Sequence, residues 1–267
     1  MKEKIIEIFN NNVKGTKANV EKQNKKHDGK KGYDLEEKFG ILHNSRNEAD
    51  LGGLELKSET LSITSFGDWS ANVYIFDIPE LKEIFNERYK YQRKDHFLRI
   101  FGKPNPNKDG RFSWSGTSCP KLKKYNELGQ VMEIEDNNDI VVRYSYSKDK
   151  RENKSNIVPI QLQADNLVLA RWFGESSPST KRKDKCSKAK LEDKFNKKGF
   201  FTCKTNQNGK YDRLCFGKCI TFDEWIQLLK EGVVYFDSGM NEGNKRFYSS
   251  WRANNRFWDS LIIETYS

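Results

Sequence analysis

Residues 50–57, which read Asp-Leu-Gly-Gly-Leu-Glu-Leu-Lys, constrain the fold of this chain more than any other segment. The two adjacent glycines are typical of a tight turn, because glycine adopts backbone angles that other residues avoid. Apolar and charged residues alternate after the turn, which predicts a β-strand. Side chains of a strand point alternately to its two faces, so Glu55 and Lys57 share one face while the neighbouring leucines enter a core.

The composition fits a large folded protein with a polyanionic partner. The chain has 267 residues, of which 35% are hydrophobic and 13% aromatic, enough for one large domain or two packed lobes. Its formal net charge of +10 favours nucleic acid as the partner. A basic protein that is merely soluble would carry the same sign, so charge alone leaves both interpretations open.

The ends of the chain and its cysteines indicate the cellular setting. Residues 1–14 are too charged for a signal peptide, and no apolar run reaches the length of a membrane span. The five cysteines are an odd number, and Cys203, Cys215 and Cys219 lack the paired spacing of a zinc site. We therefore expect free thiols, a cytoplasmic location and no membrane contact.

Periodicity divides the chain into helices at its ends and a β-rich centre, which predicts a mixed α/β (α+β) class. The predicted helical and loop segments are a first helix through Ile5, Ile6 and Phe9, a loop over 15–31, a helix capped by Asp34 that continues to Leu42, and helices over 79–92 and 221–231. The predicted strands cover 54–57, 62–65, 72–76, 97–101, 111–114, 130–134, 139–146, 158–162, 211–216 and 233–237.

The turn at 52–53 lets Asp50 approach Glu55, and two converging carboxylates form the hard oxygen site that Mg²⁺ prefers. The carbonyl of Leu56 is a candidate for a further ligand. A metal held there polarises a phosphate and lowers the pKa of a bound water, and the Lys57 ammonium positions that water. This spacing of two anions and one cation predicts phosphodiester chemistry.

The same string also has an ordinary interpretation. E-x-K occurs five times in this lysine-rich chain, and only the copy at 55–57 combines apolar strand flanks with an upstream aspartate. The other copies lie mostly in helix-like sequence, where charges two residues apart are common. For Glu55 and Lys57 the alternative is an exposed cross-strand charge pair.

The run Gly32-Tyr-Asp-Leu-Glu-Glu-Lys-Phe-Gly40, followed by Asp50, Glu55 and Lys57, resembles the PD-(D/E)XK nucleases of the MvaI/BcnI restriction endonuclease family. It is also similar to the mismatch-repair nicking enzyme MutH. The resemblance implies that Glu36 supplies an extra acid from a helix, with Glu37 as the alternative. It further implies that Asp50 and Glu55 bind the metal and that Lys57 is the active-site lysine.

The resemblance extends over the first quarter and the last fifth of the chain, and only loosely over the centre. It implies a catalytic lobe formed by 1–95 and 200–267 and a β-rich recognition lobe over 96–199. It also implies a monomer that uses Mg²⁺ to cut double-stranded DNA at a short site, leaving 5′-phosphate and 3′-hydroxyl ends. A cognate DNA methyltransferase is then expected in the same restriction-modification system.

The resemblance implies that DNA is read by the segment after Asp237, since the restriction enzymes that the chain resembles place this region in a groove. Arg suits guanine, Asn suits adenine, and Lys suits phosphates. The relatives carry histidines there, but this chain has none after His96, which leaves the target sequence open. An ordinary terminal hairpin is the alternative. The candidate DNA contacts are Lys245, Arg246, Tyr248, Trp251, Arg252, Asn254 and Arg256.

Two basic segments are candidates for phosphate contacts, namely 15–31 and 181–198. The second carries nine Lys or Arg against three acids and is equally compatible with a solvated linker. The primary hypothesis is a type II restriction endonuclease. The alternatives are a MutH-like enzyme that nicks one strand and a DNA-binding protein without catalysis.

Overall fold

The computed structural model describes residues 1–19, 30–42, 47–58, 62–179 and 185–267. In chain order its helices are α1 (Lys2–Ile8), α2 (Lys30–Lys38), α3 (Lys90–Phe101), α4 (Lys154–Ile157), α5 (Ser187–Phe195), α6 (Phe222–Lys230) and α7 (Asn255–Ser260). Its strands are β1 (Glu55–Lys57), β2 (Ile63–Asp68), β3 (Val73–Tyr74), β4 (Lys103–Asn105), β5 (Arg111–Trp114), β6 (Leu128–Ile134), β7 (Ile140–Asp149), β8 (Leu167–Trp172), β9 (Phe200–Thr205), β10 (Tyr211–Gly217), β11 (Tyr235–Ser238), β12 (Met240–Asn241), β13 (Ser249–Asn254) and β14 (Ile262–Tyr266). The predicted mixed α/β class is confirmed.

The chain divides into two compact units. Unit 1 consists of Met1–Thr64, Lys190–Trp225 and Ala253–Ser267, and unit 2 consists of Ser65–Ala189 and Ile226–Arg252. All four predicted catalytic residues belong to unit 1. The functions that the sequence assigns to the two lobes remain predictions. No helix in the described part of the chain is both long and apolar enough to cross a membrane.

Unit 1 is built on a four-stranded sheet in the order β1-β9-β10-β14. β1 runs parallel to β9, and the other neighbours are antiparallel. Apolar side chains from this sheet and from the first two helices form one core, with Ile5, Phe9, Leu35, Leu56 and Phe201 among its members. Burial of each such side chain stabilises the fold by about 1.5–3 kcal/mol, so the core holds the short strand β1 in place.

Unit 2 contains the larger antiparallel sheet, in the order β3-β8-β7-β6. Smaller three-stranded sheets have the orders β12-β5-β4 and β11-β13-β2. Its core is rich in aromatic rings. The Trp172 ring meets those of Trp251 and Phe236 at centroid distances of 5.6 and 5.1 Å, in edge-to-face geometry, which is a favoured arrangement of aromatic pairs.

Several predicted elements are confirmed. The first helix is present as α1 and continues into a π-helical turn over Phe9–Val13. The helix predicted over 221–231 is α6, which begins with a reciprocal cap: Thr221 N donates to Glu224 Oε2 at 2.8 Å, and Glu224 N donates to Thr221 Oγ1 at 3.2 Å. The five cysteines are free thiols, as expected.

Two predicted strands are wrong. Residues 97–101 form the end of α3, and the buried side chains of Phe97, Ile100 and Phe101 follow helical spacing. Such a short apolar run does not by itself distinguish a strand from a helix. The segment predicted as a strand over 158–162 instead follows α4 and contains the 3₁₀ turn Ile160–Leu162, because Pro159 lacks the amide hydrogen that a ladder requires.

The predicted helices over 79–92 and from Asp34 also need correction. Residues 79–81 form one 3₁₀ turn, and the α-helix begins only at Lys90. Asp34 lies inside α2, where it pairs with Lys38 at 2.8 Å, so it is not the cap. Leu42 lies beyond the helix and is 85% exposed. The predicted loop over 15–31 falls largely outside the described residues, and its last two residues belong to α2.

Candidate active site

A tight turn delivers the chain from Asp50 into β1. Gly52 and Gly53 have φ angles of +60° and +91°, the left-handed region that glycine adopts without steric cost. The backbones of Leu51 and Leu54 close the turn with reciprocal N–H to carbonyl bonds of 3.0 and 3.1 Å. The turn that the glycine pair predicted is therefore present. It returns the chain so that Asp50 lies beside the strand.

β1 separates its side chains as the alternation predicted. Leu54 and Leu56 enter the core of unit 1. Glu55 and Lys57 share the opposite face, where Lys57 Nζ lies 3.0 Å from Glu55 Oε1. The Asp50 carboxylate is tied to the same strand, because its Oδ2 accepts a 2.9 Å hydrogen bond from the backbone N–H of Leu56. The predicted trio of acid, acid and lysine is thus brought together.

Glu55 is a buried carboxylate with two ammonium partners. It is 3% exposed, and its Oε1 accepts from Lys57 Nζ at 3.0 Å and from Lys194 Nζ at 2.8 Å. Its Oε2 is buried and has no hydrogen-bond partner among the described residues. Burial acts to raise the pKa of Glu55, but the two ammonium groups outweigh burial and hold that pKa below its ordinary value.

Asp50 and Lys57 show the electrostatic cost of this arrangement. Burial, followed by the charge of Glu55, raises the pKa of Asp50 to about 6, although the Leu56 N–H and the two lysines act in the opposite direction. Burial also lowers the pKa of Lys57, against the effect of Glu55. The ionised carboxylate of Asp50 is therefore short of compensating positive charge at neutral pH.

The donor set fits a hard divalent cation. The two carboxylates lie close enough for the charge of Glu55 to raise the pKa of Asp50, and the charge of Asp50 is undercompensated. One oxygen of Glu55 is buried and has no hydrogen-bond partner among the described residues. Oxygen ligands of this kind suit Mg²⁺, which is normally bound through one or two carboxylates and several waters. Across the described residues, no three Asp, Glu, His or Cys side chains converge into a larger metal-binding group. Among the predicted catalytic residues, Asp50 and Glu55 are the two whose carboxylates could bind such an ion.

Glu36 and Glu37 lie in the last turn of α2. This helix ends in a Schellman arrangement, in which Ile41 N donates to the carbonyl of Glu36 at 2.8 Å and Gly40 N donates to that of Glu37 at 2.9 Å. The side chain of Glu36 is half-buried, whereas that of Glu37 is exposed. Neither joins Asp50 and Glu55 in a metal-binding group of three within the described part of the chain.

Lys194 was not among the predicted catalytic residues. It lies near the end of α5 and contacts Glu55 across 139 positions of sequence. The sequence contains two weak signals for it: its place in the basic segment 181–198, and the Glu192-Asp-Lys194 copy of E-x-K. Neither signal indicates Glu55 as its partner. Residues 181–184 of that segment lie outside the described residues.

Two aromatic rings lie close to the ammonium group of Lys57. Its Nζ lies 5.0 Å from the ring centroid of Phe195 and 5.9 Å from that of Trp258, distances at which a ring attracts a cation. A cavity of about 10 Å³ adjoins it, near the smallest volume that holds a water molecule. The lining residues are Lys57, Thr64, Phe200, Thr202, Lys204, Asn255, Trp258 and Asp259.

The predicted DNA-contact residues differ in accessibility. Lys245, Arg246 and Arg256 are exposed. Tyr248 is half-buried, with the Arg246 guanidinium 5.8 Å from its ring centroid. Trp251, by contrast, is 0% exposed and packs in the aromatic core of unit 2, so its ring supports the strand from inside.

Two further members of this set have partners within the protein. Arg252 Nε lies 3.0 Å from Asp237 Oδ2 on the neighbouring strand β11. The Asn254 side chain caps α7 by accepting from Phe257 N at 2.8 Å. These two side chains would have to exchange a protein contact for a DNA contact.

Comparison with known proteins identifies the family. The family model described as LlaMI restriction endonuclease matches residues 13–266. This chain belongs to the LlaMI restriction endonuclease family. The chain is similar to the type II restriction enzyme ScrFI of Lactococcus lactis subsp. cremoris. The two are 53% identical over 264 residues, and the match covers 98% of this chain and 97% of that protein. The predicted enzyme class, a type II restriction endonuclease, is confirmed by this membership.

The fold of this restriction endonuclease is similar to that of MvaI. The solved complex of restriction endonuclease MvaI with its cognate DNA substrate superposes with a TM-score of 0.57 at 13% identity, and the match covers 99% of this chain and 95% of that chain. The predicted resemblance to the MvaI/BcnI fold is thereby confirmed.

Proposed function

We propose that this restriction endonuclease hydrolyses phosphodiester bonds in double-stranded DNA at a short specific site, with Mg²⁺ as its cofactor. The observation that carries the proposal is the pairing of Lys57 with Glu55 beside Asp50, on one face of β1. The names of the relatives add support, since ScrFI is a type II restriction enzyme and MvaI is bound to its cognate DNA.

In this proposal Asp50 and Glu55 hold the metal, and the backbone carbonyl of Leu56 is a further ligand candidate. When bound, Mg²⁺ supplies positive charge that polarises the scissile phosphate and acidifies a water. Lys57 then orients the attacking water and offsets the negative charge that develops on the phosphate oxygens. Phe195 and Trp258 restrict the movement of its ammonium group and exclude bulk water from it.

The proposed products are ends with a 5′-phosphate and a 3′-hydroxyl. The water oxygen forms a bond to phosphorus, the bond between phosphorus and O3′ breaks, and a proton is transferred to O3′. Glu36, half-buried in the last turn of α2, is proposed as an additional acid near this chemistry, and the exposed Glu37 is the less favoured alternative.

DNA binding is proposed to rely first on the exposed cations Lys245, Arg246 and Arg256, with Tyr248, Arg252 and Asn254 as further contacts. Cations of this kind bind phosphates or guanine edges. Trp251 contributes by supporting β13 from the core. We further propose that the enzyme acts as a cytoplasmic monomer and that a DNA methyltransferase of the same specificity protects the host site.

A plasmid digest tests the catalytic proposal. Wild-type enzyme with MgCl₂ is expected to give discrete double-stranded fragments with ends that ligate without added kinase, and no cleavage in EDTA. Asp50→Ala should abolish the fragments, and Lys57→Ala should slow their appearance by about 10²-fold or more. Lys82→Ala is the matched control, because Lys82 belongs to another E-x-K copy and is exposed.

Three outcomes would contradict parts of the proposal. Retained cleavage by Asp50→Ala would refute the metal site. Nicked circles in place of linear fragments would favour the MutH-like alternative. Binding without cleavage under every divalent metal would favour a DNA-binding protein.

A further inference from the structure

Lys194 and Lys57 share one oxygen of Glu55. Lys194 Nζ lies 2.8 Å and Lys57 Nζ 3.0 Å from Glu55 Oε1, while Oε2 is buried without a partner among the described residues. The side chains of both lysines are largely buried, with 16% and 12% of their surface exposed. The two ammonium groups on Oε1 repel each other, so the arrangement is stable only if nearby negative charge compensates the repulsion.

The two carboxylates of the site provide that negative charge. Asp50 and Glu55 contribute two negative formal charges, and Lys57 and Lys194 contribute two positive ones, so the four formal charges cancel without a metal. Both ammonium groups lie on Glu55, however, which leaves the charge of Asp50 undercompensated. A divalent cation adds two positive charges to the same low-dielectric site. One ammonium must then leave Glu55, or the group carries an uncompensated excess of positive charge.

Lys194 is the ammonium that is able to leave. Lys57 is held on β1 by the parallel pairing with β9, and its Nζ lies 5.0 and 5.9 Å from the ring centroids of Phe195 and Trp258. Lys194 reaches Glu55 from the last turn of α5 through a flexible four-carbon side chain. Because Lys194 lies on a helix and not on a strand, its release from Glu55 requires no change in the pairing of β1 with β9.

We propose that Lys194 is a built-in counter-ion of Glu55, which occupies the carboxylate in the metal-free enzyme and is displaced when a divalent cation binds. This inference rests on the proposed function, because it takes Glu55 as a metal ligand. The displaced ammonium is then available to a phosphate of the bound DNA. Lys194 is thus a positioning residue, since it acts on the metal through Glu55.

The test measures metal binding without DNA and without turnover. Mn²⁺ is the probe, since it takes the same oxygen ligands, and loss of the free-ion electron paramagnetic resonance signal reports its binding. Lys194→Met should bind Mn²⁺ roughly tenfold more tightly than wild type, because no internal cation competes. Lys194→Arg, which keeps the charge, should remain near wild type.

Controls separate this inference from the proposed function. Lys188→Met removes one positive charge from the same helix while Glu55 keeps both of its lysine partners, and it should leave Mn²⁺ binding unchanged. Glu55→Gln should weaken Mn²⁺ binding strongly. If Glu55→Gln binds as wild type does, the metal site itself is wrong. If Glu55→Gln fails to bind while Lys194→Met binds no more tightly than wild type, only the counter-ion inference is overturned.

Thermal unfolding gives a second readout that does not depend on metal affinity. In EDTA, Lys194→Met should unfold roughly 2–4 °C below Lys188→Met, because Glu55 loses one of its two partners. Added Mn²⁺ should reverse the order of the two variants. An unchanged order in the presence of Mn²⁺ would contradict displacement, whatever the activity of the variants.

Discussion

Asp50→Asn should make the metal-free enzyme more stable while abolishing cleavage. Asparagine keeps the shape of the side chain and an oxygen that accepts from Leu56 N–H, a bond of 2.9 Å in the native enzyme. It removes the ionised carboxylate, whose pKa is raised to about 6 by burial and by the neighbouring Glu55. The substitution therefore removes a charge that the fold does not compensate.

The size of the effect follows from the pKa. A rise in the pKa of Asp50 from 3.8 to about 6 corresponds to a loss of about 3 kcal/mol of free energy of unfolding once the carboxyl is ionised. Between these two pH values the native state keeps a proton that the unfolded state has lost, so wild-type stability falls as the pH rises. Above pH 6 the loss is complete. Asp50→Asn should match wild type near pH 3.5 and exceed it by up to about 3 kcal/mol at pH 8.

Urea unfolding in EDTA at several pH values measures the difference. Asp136→Asn is the matched control, because Asp136 is exposed and should change stability by less than about 0.5 kcal/mol. Added Mg²⁺ should stabilise wild type but not Asp50→Asn, and should thereby reduce the difference between their free energies of unfolding. If Asp50→Asn is less stable than wild type at pH 8, or if their difference does not vary with pH, the electrostatic account of Asp50 is refuted.

Three further predictions concern other parts of the molecule. Lys57→Met should lower the rate of single-turnover cleavage by roughly 10²–10³-fold. Mn²⁺ should still bind, as measured by electron paramagnetic resonance. Loss of Mn²⁺ binding would instead make Lys57 a structural residue of the site. Lys94→Met should lower the free energy of unfolding by about 1–3 kcal/mol in urea. Lys94 is fully buried, and its Nζ donates to the carbonyls of Asn241 and Asn244 at 2.5 and 2.8 Å. A loss under about 0.5 kcal/mol would contradict a stabilising role for these hydrogen bonds. Trp251→Ala should cost about 3–5 kcal/mol of unfolding free energy, and weaker DNA binding without any loss of stability would show that its ring contacts DNA after all.

The local part of the site was predictable from the sequence. Strand alternation placed Glu55 and Lys57 on one face, and the glycine pair indicated the turn that brings Asp50 back. Both inferences use contacts within eight residues, where backbone geometry alone fixes the neighbours. Lys194 was beyond that reach, because its contact with Glu55 depends on how α5 packs, and packing is not encoded in any local pattern.

The errors in the fold have a similar cause. Phe97, Ile100 and Phe101 are bulky apolar residues typical of strands, yet tertiary packing buries them on one face of α3. Trp251 lies among arginines and asparagines in sequence, which indicated a surface, but alternation along β13 turns its ring into the core of unit 2. Composition identified the segment correctly as basic and did not distinguish its two faces.

The turn at Gly52 and Gly53 has a consequence for the sequences that this enzyme tolerates. Both positions take positive φ, and a side chain added at Gly52 would come within 2.2 Å of the Met1 side chain. Replacement of either glycine costs roughly 1–2 kcal/mol through backbone strain alone, without touching any charged group. A library randomised at both positions and selected for cleavage should return glycine at both. The same library, screened for variants that fold but do not cleave DNA, should yield enzymes that are inactive although every charged residue of the site is still present.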